Sequence, residues 1–183
     1  MSARVAPLVR CFFEARTSTA QYVVSCPQTK KTAIIDPVLD FDMDGGRTFT
    51  ESADILLAYI KEENLSVTHL LETHVHADHI TSSHYLQQRL DTRPPVAISE
   101  NVVQVQKKFA QIYDINMACD GSQFDVLLKD GETFKVGELD FQVMSTPGHT
   151  PACLSYLIPD QCIFVGDTLF MVGLFLFLCR LIQ

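Results

Sequence analysis

Three histidines and an aspartate crowd into six positions of the stretch LLETHVHADHITSSHYL: His74, His76, Asp78 and His79. Neutral imidazole nitrogens next to carboxylate oxygen suit a borderline transition metal such as zinc or iron, whereas calcium and magnesium prefer shells made wholly of oxygen. The cluster follows the apolar strand-like run SVTHLLETH, so His74 and His76 are expected in extended chain with both rings projecting to one side and Asp78 continuing the row. His79 falls where a helix from Ile80 is expected to begin, so its direction should differ. A metal also needs ligands from elsewhere in the chain. STPGHT places His149 in a loop straight after the strand-like FQVMS, and IFVGDT places Asp167 at the end of another short apolar run. Loops at strand ends are where a rigid scaffold usually carries chemistry. A lone histidine is more often surface or hydrogen-bonded core than ligand, and His69 and His84 are read as structural.

The elements that must position these groups follow from pattern. LVRCFFEA, AQYVVSC and TAIIDPV are rich in β-branched and aromatic residues and read as three strands in meander order. DFDMDGGRTFT reads as a loop, with Thr48 and Glu51 spaced to cap the helix ESADILLAYIKEEN, on which Ile55, Leu56, Tyr59 and Ile60 share a face. The strand SVTHLLETH, the helix ITSSHYLQQRL, the strand PVAIS and the helix NVVQVQKKFAQIYD then alternate as in α/β architectures. From Phe124 onward FDVLL, ETFKV and LDFQVMS read as antiparallel strands, and ACLSYLI and CIFVGD as a hairpin around Pro159-Asp160.

Composition narrows the function. With 183 residues, 47% of them hydrophobic, the chain suits one globular domain. A net charge of −8 leaves no basic stripe for a phosphate backbone, which argues against nucleic acid. The six cysteines are widely spaced without a CxxC pair and read as mostly buried thiols in a reducing compartment, so the chain is expected not to be secreted. The apolar run from Leu169 to Cys179 is about half of the roughly 20 residues a membrane-spanning helix requires, so no membrane association is expected. Oligomeric state leaves no mark on the sequence.

THVHADH, STPGHT and IFVGDTLF, in that order, resemble the metallo-β-lactamase superfamily. The resemblance runs from about residue 10 to Met171 and implies an α/β fold, the αββα sandwich with its metal site at the edge between two sheets. It also implies an incomplete domain over 1–171 lacking part of the second half, followed by an atypical apolar tail over 172–183. Within the superfamily, THVHADHITSSHYL and STPGHTPACLSYLI resemble persulfide dioxygenases, relatives of the glyoxalase II thiolester hydrolases. The dioxygenase resemblance implies one Fe2+ held by His74, His149 and Asp167, with His76, Asp78 and His79 in support, oxidising glutathione persulfide with O2 to sulfite and glutathione. The hydrolase resemblance implies two Zn2+ ions: His74, His76 and His149 on one, Asp78 and His79 on the other, and Asp167 bridging them. A catalytically inactive fragment is the third reading. A mitochondrial location follows from the dioxygenase resemblance for a eukaryotic source, a cytoplasmic one for a bacterial source.

Overall fold

A computed structural model describes residues 5–170. Met171, the apolar tail expected over 172–183 and Cys179 within it lie outside the described residues. The chain begins with β1 (Leu8–Glu14), β2 (Thr19–Ser25), β3 (Lys31–Ile35), β4 (Val38–Asp42) and β5 (Arg47–Phe49). Then come α1 (Glu51–Glu62), β6 (Ser66–Leu71), β7 (Ile80–Thr81), α2 (Ser83–Arg89), β8 (Val96–Ser99), α3 (Val102–Tyr113) and β9 (Val126–Leu128). Strands β10 (Thr133–Val136), β11 (Leu139–Ser145), β12 (Leu154–Ile158) and β13 (Cys162–Phe164) precede a 3-10 turn at Gly166–Thr168. These elements form two compact units. Among the described residues the first holds 5–71, His76–Val96 and Lys135–Asp140, and the second holds Glu72–Val75, Ala97–Phe134 and 141–170.

In the first unit β1, β2 and β3 form the expected antiparallel meander, with Leu8 opposite Ser25 and Tyr22 opposite Ile35, and β3 then pairs in parallel with β6. A parallel strand covered on both faces calls for a continuous apolar run. Thr32 to Ile35 of β3 are all buried, and Leu70 and Leu71 of β6 are fully so. Helix α1 adds Ala53, Leu56 and Ile60 to this core. Each buried leucine or isoleucine contributes about 1.5–3 kcal/mol. Ile55, expected on the same face, is exposed, and Tyr59 is half-buried against the edge of Phe12, ring centroids 5.2 Å apart.

Three local expectations are corrected here. The stretch DFDMDGGRTFT is not a loop: β4 and β5 pair antiparallel, Asp42 opposite Arg47, turning through Gly46 at φ +61°. Thr48 therefore lies in β5 and does not cap α1. Thr50 precedes the helix with its hydroxyl on Asp54 Oδ2 at 2.8 Å, while Asp40 of β4 accepts the Ser52 N–H at 2.8 Å and its hydroxyl at 2.7 Å. A carboxylate on a neighbouring strand thus satisfies a first-turn amide that the helix leaves open. Finally, Ile80 and Thr81 do not begin a helix but pair as β7 with Leu39 and Val38, so α2 starts only at Ser83.

In the second unit β8 and β9 run parallel, and β11, β12 and β13 are antiparallel. Strand β11 alternates with period two, burying Leu139, Phe141 and Val143, and Phe141 stacks on Phe134 at 5.2 Å. The hairpin around Pro159-Asp160 forms as expected, Asp160 taking the left-handed conformation at φ +62°. The cysteines are less uniform than expected. Cys26 and Cys153 are buried, Cys119 and Cys162 are intermediate, and Cys11 is exposed on β1, whose residues are mostly open to solvent because it is the end strand of its sheet. Among the described residues no helix is long and apolar enough to cross a membrane.

Candidate metal site

Residues 72–79 are a run of bends and irregular backbone between β6 and β7, with no strand geometry. Period-two alternation therefore does not apply, and the expected row of His74, His76 and Asp78 does not form. His74 joins His149 and Asp167 in the second unit, whereas His76 joins Asp78 and His79 in the first.

Backbone contacts hold His74 in place. The Thr73 carbonyl accepts the Leu154 N–H at 2.8 Å, and the buried Tyr156 hydroxyl donates to the Glu72 carbonyl at 2.7 Å. Gly166 approaches the same place at φ +48°, and a Cβ on it would overlap the Thr73 side chain. Only glycine offers both that conformation and that clearance. The turn carrying Asp167 is thereby seated against Thr73. The loop carrying His149 is tied in by hydroxyls, Thr146 Oγ1 lying 2.9 Å from Thr168 Oγ1 and 3.0 Å from Ser155 Oγ. Its other end closes on sulfur, with the Thr150 N–H donating to Cys153 Sγ at 3.2 Å.

These ties bring His149 Nε2 within 3.4 Å and His74 Nε2 within 3.8 Å of Asp167 Oδ2, with the imidazoles edge to face at 5.0 Å. Thr73 Oγ1 sits 3.0 Å from His74 Nδ1. When that nitrogen carries the proton, Nε2 keeps its lone pair on the Asp167 side. His74 is 1% exposed, while the side chains of His149 and Asp167 are 38% and 33% exposed. The group has a buried back and an accessible front. One donor atom from each residue lies within 4.8 Å of the others, a two-histidine, one-carboxylate set that fits iron or zinc.

His76, Asp78 and His79 likewise offer donors within 4.8 Å of one another. His76 Nε2 lies 3.0 Å from Asp36 Oδ1, and the His76 and His79 rings are 4.1 Å apart between centroids. Asp78 Oδ2 is 3.3 Å from His79 Nδ1, and its hydrogen bond with His79 is the main reason its carboxyl sits far below the usual carboxylate range. His79 Nε2 is buried and takes no hydrogen bond among the described residues, as expected of an atom that meets a metal. Thr19 Oγ1 approaches both His79 Nδ1 and Asp78 Oδ2 at 3.3 Å.

The two histidines read as structural stay outside both groups: His84 is exposed on α2, and His69 in β6 bonds the neighbouring Thr68 hydroxyl at 2.9 Å. Asp36, Thr19 and Thr73 were not among the sequence candidates. Asp36 left a signal, an acid directly after the apolar run of β3, the same strand-end context that marks Asp167. It is 4% exposed and adopts φ +51°, a conformation that costs a residue other than glycine energy and aims its carboxylate at His76.

The profile of the family described as Metallo-beta-lactamase superfamily matches residues 16–179. Glyoxylase B2 from Dictyostelium discoideum is 47% identical over 165 residues, 89% of this chain and 56% of that protein. Persulfide dioxygenase ETHE1, mitochondrial, from Mus musculus is 29% identical over 174 residues, 94% of this chain and 57% of the relative. The crystal structure of ETHE1 from Myxococcus xanthus superposes with a TM-score of 0.67 at 35% identity, covering 90% of this chain and 59% of that one. The chain thus spans a little over half the length of these three proteins.

Proposed function

Because the chain belongs to the metallo-β-lactamase superfamily and has its α/β fold, we propose that residues 1–171 form a metal-dependent, persulfide dioxygenase-like enzyme domain with His74, His149 and Asp167 as ligands of a single Fe2+. The observation that carries this reading is the donor set itself: two imidazole nitrogens and one carboxylate oxygen converge with a buried back and an accessible front. Three protein ligands leave the remaining positions of an octahedral ion open, the arrangement associated with oxygen-activating non-haem iron. Bound there, iron would supply the redox chemistry by which glutathione persulfide, dioxygen and water give glutathione, sulfite and two protons.

The chain's own residues do the positioning. Thr73 fixes the ring orientation of His74, so its Nε2 cannot swing out of line. Asp167 supplies the one negative charge among the three ligands and, with His149, borders the accessible side on which both reactants must meet. His76, Asp78 and His79 act in support. The persulfide dioxygenase relative and the ETHE1 structure support this reading, and the mitochondrial mouse relative supports a mitochondrial location for a eukaryotic source, with the cytoplasm for a bacterial one.

A second reading rests on its own observation. His76, Asp78 and His79 form a donor group of their own, with His79 Nε2 buried and unbonded. Two Zn2+ ions and thiolester hydrolysis would suit such a pair of groups, and a relative named as a glyoxylase supports it. Metal analysis of the 183-residue chain, purified without oxygen from cells supplied with iron and zinc, separates the readings. About one iron per chain, lost in Asp167→Ala, with oxygen uptake on glutathione persulfide, is the expected result. Zinc with hydrolysis of a glutathione thiolester would replace it by the hydrolase, and a chain that retains no metal would leave the inactive fragment.

A further inference from the structure

In the first unit a string of hydrogen bonds runs from a buried carboxylate to the ring of His79, and each link has a direction. Glu14 is 7% exposed, and its Oε2 accepts the Thr17 hydroxyl at 2.6 Å and the Thr17 N–H at 2.7 Å, while Oε1 accepts the Arg16 N–H at 2.7 Å. Burial pushes the Glu14 carboxyl up, but these bonds prevail and hold it below its usual range, so it is an acceptor at neutral pH. Thr17 has one hydroxyl proton, spent on Glu14. The contact between Thr17 Oγ1 and Thr19 Oγ1, at 2.7 Å, therefore draws on the proton of Thr19, whose other acceptor, Asp78 Oδ2, is farther off at 3.3 Å; spent on either, it leaves Thr19 no second proton. With that proton spent, Thr19 Oγ1 meets His79 Nδ1, at 3.3 Å, as an acceptor.

We propose that Glu14, Thr17 and Thr19 are positioning residues that fix the tautomer of His79, placing its proton on Nδ1 and leaving the Nε2 lone pair free. The far side of the ring agrees independently: the opposite tautomer would put a buried Nε2–H where no acceptor exists among the described residues, whereas a bare lone pair there is ready for a metal or a proton. Asp78 Oδ2 also faces Nδ1 at 3.3 Å and, as a carboxylate, can only accept there, so it favours the same tautomer from the exposed side. The relay stands on hydrogen-bond directions alone and holds for either metal reading. It deepens both, because it makes His79 competent on its Nε2 side.

Long-range proton–nitrogen NMR of the histidine rings tests it, on the full chain freed of metal by chelation and held at mildly alkaline pH, where neutral imidazole dominates. The wild type is expected to show His79 as the Nδ1–H form. Thr19→Val should raise the Nε2–H fraction several-fold, Thr19→Ser should restore the wild-type pattern, and Glu14→Gln should shift it in the direction of Thr19→Val by releasing the Thr17 proton. A wild type dominated by Nε2–H, or a Thr19→Val spectrum that keeps the wild-type tautomer in a chain still melting cooperatively, overturns the relay. Metal content measured on the same samples is a separate readout, so failure of the tautomer test and failure of the iron reading are distinguishable.

Discussion

The two histidine groups share a composition, two imidazoles and a carboxylate, and differ in what backs them. In the group of His74, His149 and Asp167 the carboxylate is a member, facing both imidazoles, and neutral contacts stand behind: a hydroxyl on His74, a glycine against Thr73, threonine and serine hydroxyls around the His149 loop. The group of His76, Asp78 and His79 also has a member carboxylate, Asp78, but adds buried carboxylates behind the rings, Asp36 directly on His76 and Glu14 through two hydroxyls on His79. In the first, the member carboxylate lies beside both rings and would face a bound cation directly. The second adds charge behind its rings, where it orients them and bears on which nitrogen is bare. On the reading proposed above, the first group would hold the ion that does chemistry, and the second would support it or hold a second ion.

The contrast can be broken experimentally. The largest effect belongs to Asp167→Ala, expected to lower metal affinity by more than about 100-fold, beyond the ~10–100-fold typical of an outer partner; titration against a competing chelator measures it, and affinity close to wild type would remove Asp167 from the ligand set. Next is Asp36→Asn, which keeps an acceptor but removes its charge. It should cost about 1–3 kcal/mol in urea unfolding, and an unchanged midpoint would mean that His76 does not depend on that carboxylate. Gly166→Ala, forced into φ +48° against Thr73, should cost about 1–3 kcal/mol and weaken the first group alone. Loss of order in the His76 and His79 ring signals would contradict that division.

The smallest effect is one of pH and lies outside both groups. Burial holds His69 below its ordinary value of 6.5, so the unfolded chain takes up the proton first. Stability from this residue is complete above 6.5 and is lost as pH falls through the lower folded value. His69→Gln should therefore flatten the acid side of a stability–pH curve, and a curve of unchanged slope would assign that acid loss to other groups.

Much of this was legible beforehand for physical reasons. Strands β1, β2 and β3, the alternation around β6 and β8, and the late hairpin announced themselves through runs of β-branched residues and turn chemistry. His149 and Asp167 were visible because each follows a strand directly, and the structure brings both to His74. The spacing of His74 and His76 misled, since bends at residues 73–74 and 77–79 break the alternation that would have put them side by side. Asp36, Thr19 and Thr73 escaped because a supporting acid or hydroxyl carries no motif, and its meaning lies in what it touches after folding. The hairpin of β4 and β5 was hidden by its Asp and Gly content, which described its turn and not its flanks.

The bond from the Tyr156 hydroxyl to the Glu72 carbonyl joins residues 84 positions apart. Synthesis adds about 5–20 residues each second, so roughly 4–17 s separate the emergence of the segment carrying His74 from that of the strand that anchors it. During that interval the Tyr156 bond cannot yet hold the backbone beside His74. If the group holds an ion as proposed, the ion would arrive late in the life of a nascent chain, after the segments carrying His149 and Asp167 have emerged.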